Sequence, residues 1–170
     1  MATEKPVSAK PLHSKWVFKT KLDADGGVER FKARLVACGN EQEAGINYND
    51  TFAPVLDLAT ARMILALSVI WHCPARHGDI PAANTKAAIE SDSDIYLYPP
   101  NGMTFTEDER IAGGNTPVLK LQRSLYGLKQ AGRLWNNLLH EELLNIGYIR
   151  CKTDLCLYYK RKERDIAIVG

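Results

Sequence analysis

The segment SLYGLKQAGRLW at residues 124–135 constrains the fold of this chain more than any other stretch. Residues 118–125 have strand character and lead into Gly127, whose missing Cβ permits a sharp backbone turn. A helix is predicted over residues 129–146, with Gly147 as its C-terminal cap. Five apolar residues are expected to share one face of that helix: Ala131, Trp135, Leu138, Leu139 and Ile146. The chain therefore contains a strand, an elbow and an amphipathic helix in direct succession.

A hairpin is predicted near the start of the chain. Residues 15–22 and 28–38 are rich in Val, Phe and Trp, and they flank the turn sequence DADGG at residues 23–27. Lys32 and Arg34 are two positions apart, so on a strand their side chains point the same way. The hairpin is expected to project a charged face into solvent.

The remaining elements alternate between helices and short strands. Residues 58–71 are almost entirely apolar and predict a helix buried on most sides. Residues 82–90 favour a second helix, and residues 101–116 a loop. Strands are expected at residues 73–80, 95–98, 148–150, 155–159 and 166–169. This mixture indicates an α+β fold with helices on one face of the sheet.

Composition is that of an ordinary soluble globular protein, with 45% hydrophobic and 25% charged residues. The longest apolar run, residues 63–71, is too short to cross a bilayer, and the N-terminus lacks the apolar core of a signal peptide. We therefore expect a cytoplasmic or nuclear protein that is not secreted and does not bind a membrane. The four cysteines, which lack CxxC spacing, are expected to be reduced thiols: Cys38, Cys73, Cys151 and Cys156.

The net charge of +2 is small, but the charge is unevenly distributed. Residues 1–38 carry eight Lys or Arg against four acids. A second basic cluster comprises Lys160, Arg161, Lys162 and Arg164. Both clusters are compatible with solvated strand and turn faces, whereas the alternation of Lys32 and Arg34 favours contact with a polyanion.

Five motifs occur in the order and at about the spacing found in one enzyme family. SLYGLKQAGRLW is preceded by WVFKTK (16–21), ERFKARLVACGN (29–40), INYNDTFAPV (46–55) and HGDIPAA (77–83). Together they make residues 15–170 resemble the reverse transcriptases, or RNA-dependent DNA polymerases, of copia-type LTR retrotransposons. The Tyr-X-Asp-Asp turn of that family is missing, and the final IAIVG is similar to the strand that leads into it. The resemblance thus implies an N-terminal fragment that ends just before this turn.

That resemblance implies part of a right-hand polymerase. Residues 1–14 are expected to be a flexible lead-in and residues 15–72 a fingers-like subdomain with the basic hairpin. Residues 73–170 would form an incomplete palm, with helix 129–146 packing between palm and fingers. The thumb, connection and RNase H parts of such a polymerase are expected to be absent from this chain.

The resemblance also implies a set of site residues. Asp79 would be the catalytic carboxylate and a ligand of Mg²⁺ or Mn²⁺ in the intact polymerase. Eight further residues would bind the nucleotide: Lys32, Arg34, Ile80, Asn84, Tyr126, Gly127, Lys129 and Gln130. Other interpretations stay open, because Asp79 ahead of Pro81 could cap a helix, and Tyr126 could either stack on a base or pack under the helix.

Several positions depart from the family pattern. Asn84 stands where a bulky aromatic residue normally excludes the ribose 2′-hydroxyl. Gly132 replaces the usual proline, and Ala87 and Ile89 occupy a Gly-X-Leu position. With the missing acidic turn, these changes suggest a decaying or domesticated copy of an element.

In the intact protein the expected partners are an RNA or DNA template with its primer and deoxynucleoside triphosphates. The remainder of the Pol polyprotein would supply the palm end, thumb and RNase H, in a virus-like particle if the element is active. As a fragment, the chain is expected to be inactive. Two alternatives are a non-catalytic nucleic-acid-binding module and an inert retroelement relic.

Overall fold

The computed structural model describes residues 2–7, 9–90, 93–106, 117–163 and 165–170. Asp92, Arg164 and residues 107–116 of the expected loop lie outside the described residues. The strands in chain order are β1 (Ala2–Thr3), β2 (Ser14–Leu22), β3 (Val28–Ala37), β4 (Tyr96–Leu97), β5 (Val118–Lys120), β6 (Ile149–Arg150), β7 (Tyr158–Lys162) and β8 (Asp165–Val169). The helices are α1 (Leu58–Ile70) and α2 (Ala131–Asn145), with short 3₁₀ turns at Gly39–Glu41 and Ala83–Thr85.

Strands β2 and β3 form the predicted antiparallel hairpin. Its turn is closed by the Asp23 carboxylate, which accepts hydrogen bonds from the Asp25 and Gly27 amides at 3.0 and 2.7 Å. Directly opposite residues of such a pair share a face. The register puts six cations on one face, namely Lys15, Lys19, Lys21, Arg30, Lys32 and Arg34, while Trp16, Phe18 and Phe31 are on the other.

The core is built where the chain before the hairpin meets the elbow. Strands β1, β5 and β4 form a small antiparallel sheet. Leu12, 2% exposed, exchanges backbone hydrogen bonds with Tyr96 and Tyr98. Residues 1–14 were expected to be a flexible lead-in, and from this segment Leu12 adds its side chain to the core. It contains Leu12, Ala37, Ile95, Leu97, Leu128 and Ala131.

Helix α2 ends as its sequence predicts. Gly147 has a positive φ of 88°, its amide bonds the Leu144 carbonyl, and the Tyr148 amide bonds the Leu143 carbonyl. The Lys160 ammonium donates to the Ile146 carbonyl at 2.6 Å, at the negative end of the helix dipole. The buried residues are Ala131, Leu134 and Leu143. The predicted face is thus partly wrong, because Ile146 follows the last helical residue and is exposed.

Strands β6, β7 and β8 form a third antiparallel sheet. Asp154, in the turn before β7, accepts hydrogen bonds from the Asp57 and Cys156 amides at 3.1 and 2.9 Å. Asp57 in turn caps α1 through the Ala59 amide. Hydrogen bonds to Thr60 first, and then to these amides, hold the pKa of Asp154 below its ordinary value.

Three expectations differ from the structure in the middle of the chain. Helix α1 forms, but it has no buried residue, because no second apolar layer covers it among the described residues. Residues 73–80 form no strand, which is consistent with Pro74 and Gly78 interrupting them. Residues 82–90 form no helix beyond the 3₁₀ turn at Ala83–Thr85, because residues 87–89 pair instead with the backbone of residues 122–124.

The described residues combine two helices with three small antiparallel sheets, so the fold class is α+β as expected. Among them, no helix has the length and apolar character needed to span a membrane.

Candidate functional site

A cleft of about 360 Å³ opens between the cationic face of β3 and the segment at residues 79–84. Six of the nine predicted site residues line it: Lys32, Arg34, Asp79, Ile80, Asn84 and Tyr126. The other lining residues are Arg30, Pro81, Ala82 and Ala83. Residues far apart in sequence thus form one surface with three cations and one carboxylate.

The cations come from alternate positions of β3, at residues 30, 32 and 34. The charge of Arg34 is the main cause that lowers the pKa of Lys32, and partial loss of water acts in the same direction. Asp79 raises this pKa, but its effect is smaller. The row therefore carries positive charge that one carboxylate does not neutralise, which favours binding of an anion.

Tyr126 joins the cation row to the elbow. The Arg34 guanidinium lies over its ring at 5.3 Å from the centroid. Its carbonyl accepts a hydrogen bond from the Ala37 amide at 2.8 Å. Tyr126 is half-buried and lines the cleft, so its ring supports Arg34 from the side of the elbow.

Asp79 and Asn84 lie on the opposite side of the cleft. Asp79 is exposed and caps no helix, because residue 82 is the one that precedes the 3₁₀ turn and no side chain caps that turn. Asn84 is inside this turn, is half-buried and lines the cleft. The helix-capping interpretation of Asp79 is therefore wrong for this structure.

Gly127, Lys129 and Gln130 lie outside the lining of the cleft. Gly127 has a φ of 91° and approaches β3, where an added Cβ would meet the Ala37 carbonyl oxygen at 2.1 Å. The Lys129 ammonium donates to the Gln42 carbonyl at 3.2 Å and to the Tyr48 hydroxyl at 3.3 Å. Gln130 is 1% exposed. The described contacts of all three residues are made within the chain, because the elbow folds against residues 37–48, and their nucleotide contacts stay a prediction.

The described residues do not fit a two-metal site. No group of three or more His, Cys, Asp or Glu side chains lies together in the described part of the chain. Asp94 is paired with Lys120 at 2.7 Å, and Asp154 is held by amides near α1. Asp79 is therefore the one carboxylate that the described residues bring to the cleft.

Two residues of this region were missed as site residues. Arg30 lines the cleft, and its position two residues before Lys32 was a sufficient signal on a strand. Gln42 bonds the Gln130 side chain at 2.9 Å across 88 positions of sequence. No local pattern marks that partner.

Comparison with known proteins gives a consistent result. The sequence model described as "Reverse transcriptase (RNA-dependent DNA polymerase)" matches residues 2–170. The retrovirus-related Pol polyprotein from transposon TNT 1-94 of Nicotiana tabacum is 37% identical over 166 residues, which are 98% of this chain and 12% of that protein. The corresponding polyproteins from transposons RE1 and RE2 of Arabidopsis thaliana are 35% and 32% identical, over 89% and 95% of this chain.

The chain spans about a tenth of the length of these polyproteins, at 12% of the first and 10% of the other two. No solved structure matches the chain.

Proposed function

The chain belongs to the reverse transcriptase (RNA-dependent DNA polymerase) family, in its copia-type retrotransposon branch, and on that premise we propose a role for its cleft. The cleft binds the triphosphate tail and sugar of a deoxynucleoside triphosphate during template-directed nucleotidyl transfer by the intact Pol polyprotein. Residues 15–72 act as fingers and residues 73–170 as part of the palm of a right-hand polymerase. The single observation that carries this proposal is the three-cation row facing Asp79.

The cation row suits a polyphosphate. A triphosphate spreads its charge over several oxygens, and Arg30, Lys32 and Arg34 offer donors along one strand face. Binding such an anion relieves the repulsion that lowers the pKa of Lys32. In phosphoryl transfer, fixed cations of this kind also stabilise charge on the leaving pyrophosphate.

Asn84 gives the sugar side of the cleft a short polar amide instead of a bulky ring. We propose that this wall discriminates weakly between a deoxyribose and a ribose, because it leaves space and a hydrogen-bonding group for a 2′-hydroxyl. Binding of dTTP and UTP within a factor of about three of each other would support this step, whereas an Asn84→Phe variant should lose UTP selectively.

Asp79 is proposed as one metal-binding carboxylate of the intact polymerase, with Mg²⁺ or Mn²⁺ as the ion. Divalent ions of this type need several oxygen ligands. Since the described residues supply only Asp79 at the cleft, the other carboxylates would have to come from outside them. The chain by itself is therefore proposed to be catalytically inactive.

Nucleotide binding by the purified chain tests the proposal directly. Affinity for dTTP should fall roughly tenfold in Lys32→Ala and in Arg34→Ala, as expected for loss of a charge-assisted contact. Lys152→Ala, which removes an exposed lysine in the turn before β7, is the charge-matched control and should leave the affinity unchanged. Equal affinity in all four proteins would disprove the proposed triphosphate site.

Primer extension tests the proposal that the chain by itself is catalytically inactive. The chain should not extend a primer on an RNA template with Mg²⁺ or with Mn²⁺. Extension by the wild-type chain that disappears in Asp79→Asn would contradict the proposal, because it would mean that further carboxylates complete the site.

The same cation row also favours a second function, non-catalytic binding of nucleic acid. A non-catalytic module would hold duplex phosphates through the six cations of the hairpin face. Duplex affinity should then fall steeply with salt, and each lysine or arginine removed should reduce the slope of log affinity against log salt by about one. Duplex binding with this slope but no dTTP binding would favour the module, and binding of neither ligand would favour an inert relic.

A further inference from the structure

The end of the hairpin and the elbow are joined through two buried glutamine amides. Gln42 and Gln130 are 5% and 1% exposed. The Gln42 Nε2 group donates to Gln130 Oε1 at 2.9 Å, and Gln130 Nε2 donates to the Asn47 carbonyl at 2.9 Å. Gln42 Oε1 accepts from the Lys129 amide at 2.8 Å. Both amides thus have a donor and an acceptor contact inside the protein, which is how buried polar groups are tolerated.

The backbones beside this pair approach as closely as glycine permits. A Cβ added at Gly39 would meet the Gly127 carbonyl oxygen at 1.9 Å, and one added at Gly127 would meet the Ala37 carbonyl oxygen at 2.1 Å. The Ala37 amide donates to the Tyr126 carbonyl at 2.8 Å between them. We call this contact between residues 37–47 and 126–130 the seam.

The seam is linked to the cleft through β3 and Tyr126. Ala37 ends β3, three residues after Arg34, and Tyr126 lies under the Arg34 guanidinium. A shift at the seam would therefore move the cation row and Tyr126 relative to the segment that carries Asp79. The amide pair itself does not line the cleft.

We propose that Gln42 and Gln130 are positioning residues, which set the place of the Arg30–Lys32–Arg34 row without touching the bound nucleotide. The inference rests on the proposed function of the cleft. Gln130 lacks the exposed surface that a ligand contact requires, and both ends of its amide are already used. Removing either glutamine leaves the partner amide buried with an unmade hydrogen bond, and the seam must open to solvate it.

Ligand binding separates positioning from direct contact. Dissociation constants are measured for inorganic triphosphate and for dTTP, in EDTA, with Gln130→Leu, Gln42→Leu and the double variant. Positioning predicts that each single variant weakens both ligands by the same factor of about ten, since the cations hold the moiety that the two ligands share. The double variant should be no weaker than either single variant, because the pair acts as one unit.

Leu143→Ala is the control for a loss of stability alone. Leu143 is buried on α2 outside the seam, so this variant should bind both ligands like the wild type while remaining folded. Loss of dTTP affinity with full triphosphate affinity in Gln130→Leu would overturn the inference, because Gln130 would then contact the nucleoside.

Hydrogen exchange tests the seam without any ligand. The Ala37 and Lys129 amides are bonded across it, to the Tyr126 carbonyl and to Gln42 Oε1. Both should exchange at least tenfold faster in Gln130→Leu and keep their wild-type protection relative to neighbouring amides in Leu143→Ala. Unchanged exchange at both amides would overturn the inference. A wild-type chain that binds neither ligand would refute the proposed function, and the exchange result would still decide whether the pair holds the seam.

Discussion

At the seam, the two buried glutamine amides find partners within the chain, whereas helix α1 presents large apolar side chains to solvent. Leu65 and Val69 on α1 are 58% and 73% exposed, against 1% for Gln130. A groove of about 910 Å³ runs between α1, β8 and residues 73–80. The comparison shows that the polarity of a side chain does not decide whether it is buried. Burial depends on a complementary partner, and the described residues supply one for the glutamines of the seam but not for the exposed face of α1.

The largest expected effect comes from filling the closest contact of the seam. In Gly127→Ala the new Cβ meets the Ala37 carbonyl oxygen at 2.1 Å, and the residue keeps a φ of 91° that disfavours alanine. The left-handed strain and the overpacking together should lower the free energy of unfolding by roughly 3 kcal/mol or more. Urea denaturation measures this change.

Gly132→Ala is the matched control. Its Cβ would lie 3.7 Å from the Ala53 Cβ, an ordinary contact, and it lies within α2. This substitution should stabilise the protein by up to about 1 kcal/mol. If both variants had the same stability, the close approach at Gly127 would not exist in solution.

The second prediction concerns an ion pair between α2 and the segment before β4. The Arg133 guanidinium donates to both Glu90 carboxylate oxygens at 2.6 Å and to the Asp50 carbonyl at 2.8 Å. Both side chains are largely covered, so Arg133→Met should cost about 2 kcal/mol by leaving the carboxylate unpaired. The double variant with Glu90→Gln should recover part of that loss.

Arg161→Met, on the exposed surface of β7, controls for the removal of an arginine. It should change the free energy of unfolding by less than about 0.5 kcal/mol. A cost for Arg133→Met no larger than this would show that the pair contributes nothing beyond surface charge.

The parts of the fold that sequence predicts well depend on local signals. The hairpin follows from its DADGG turn and alternating residues, and the end of α2 follows from Gly147. The cation row follows from the same alternation, which also contained the signal for Arg30. Where the interaction partner is a near neighbour in sequence, the pattern is sufficient.

The parts that sequence could not predict depend on distant partners. A glutamine at a helix start predicts a polar contact, but nothing nearby reveals that Gln42 is the partner of Gln130. The apolar sequence of α1 predicts burial only if some element covers it, and the described residues do not include such an element. The roles of Asp79 and Asn84 likewise depend on the family resemblance, because the surrounding segment forms neither the expected strand nor the expected helix.

The third prediction tests the other side of the comparison. Leu65→Lys places a charge on the exposed face of α1 and should change the free energy of unfolding by less than about 0.5 kcal/mol. Leu143→Ala, at a residue 8% exposed, should cost about 2–4 kcal/mol by creating a cavity. Urea denaturation measures the loss of unfolding free energy in both variants. Light scattering should show less self-association of Leu65→Lys than of the wild type. Equal costs would mean that α1 is covered in solution.

The smallest expected effect is a stabilisation within the cleft. Folding lowers the pKa of Lys32, mainly through Arg34, so the protonated amine is less stable in the folded protein than in the unfolded chain. This penalty is fully present below the lowered pKa and disappears once the pH exceeds the ordinary value, where the amine is neutral in both states. Lys32→Met should therefore melt slightly above the wild type at neutral pH, and the difference should shrink as the pH rises through the lowered pKa. Lys152→Met, remote from the row, should show no such trend. A lower melting temperature for Lys32→Met at neutral pH would mean that attraction to Asp79 outweighs repulsion within the row, so that the cleft would be balanced without an anion.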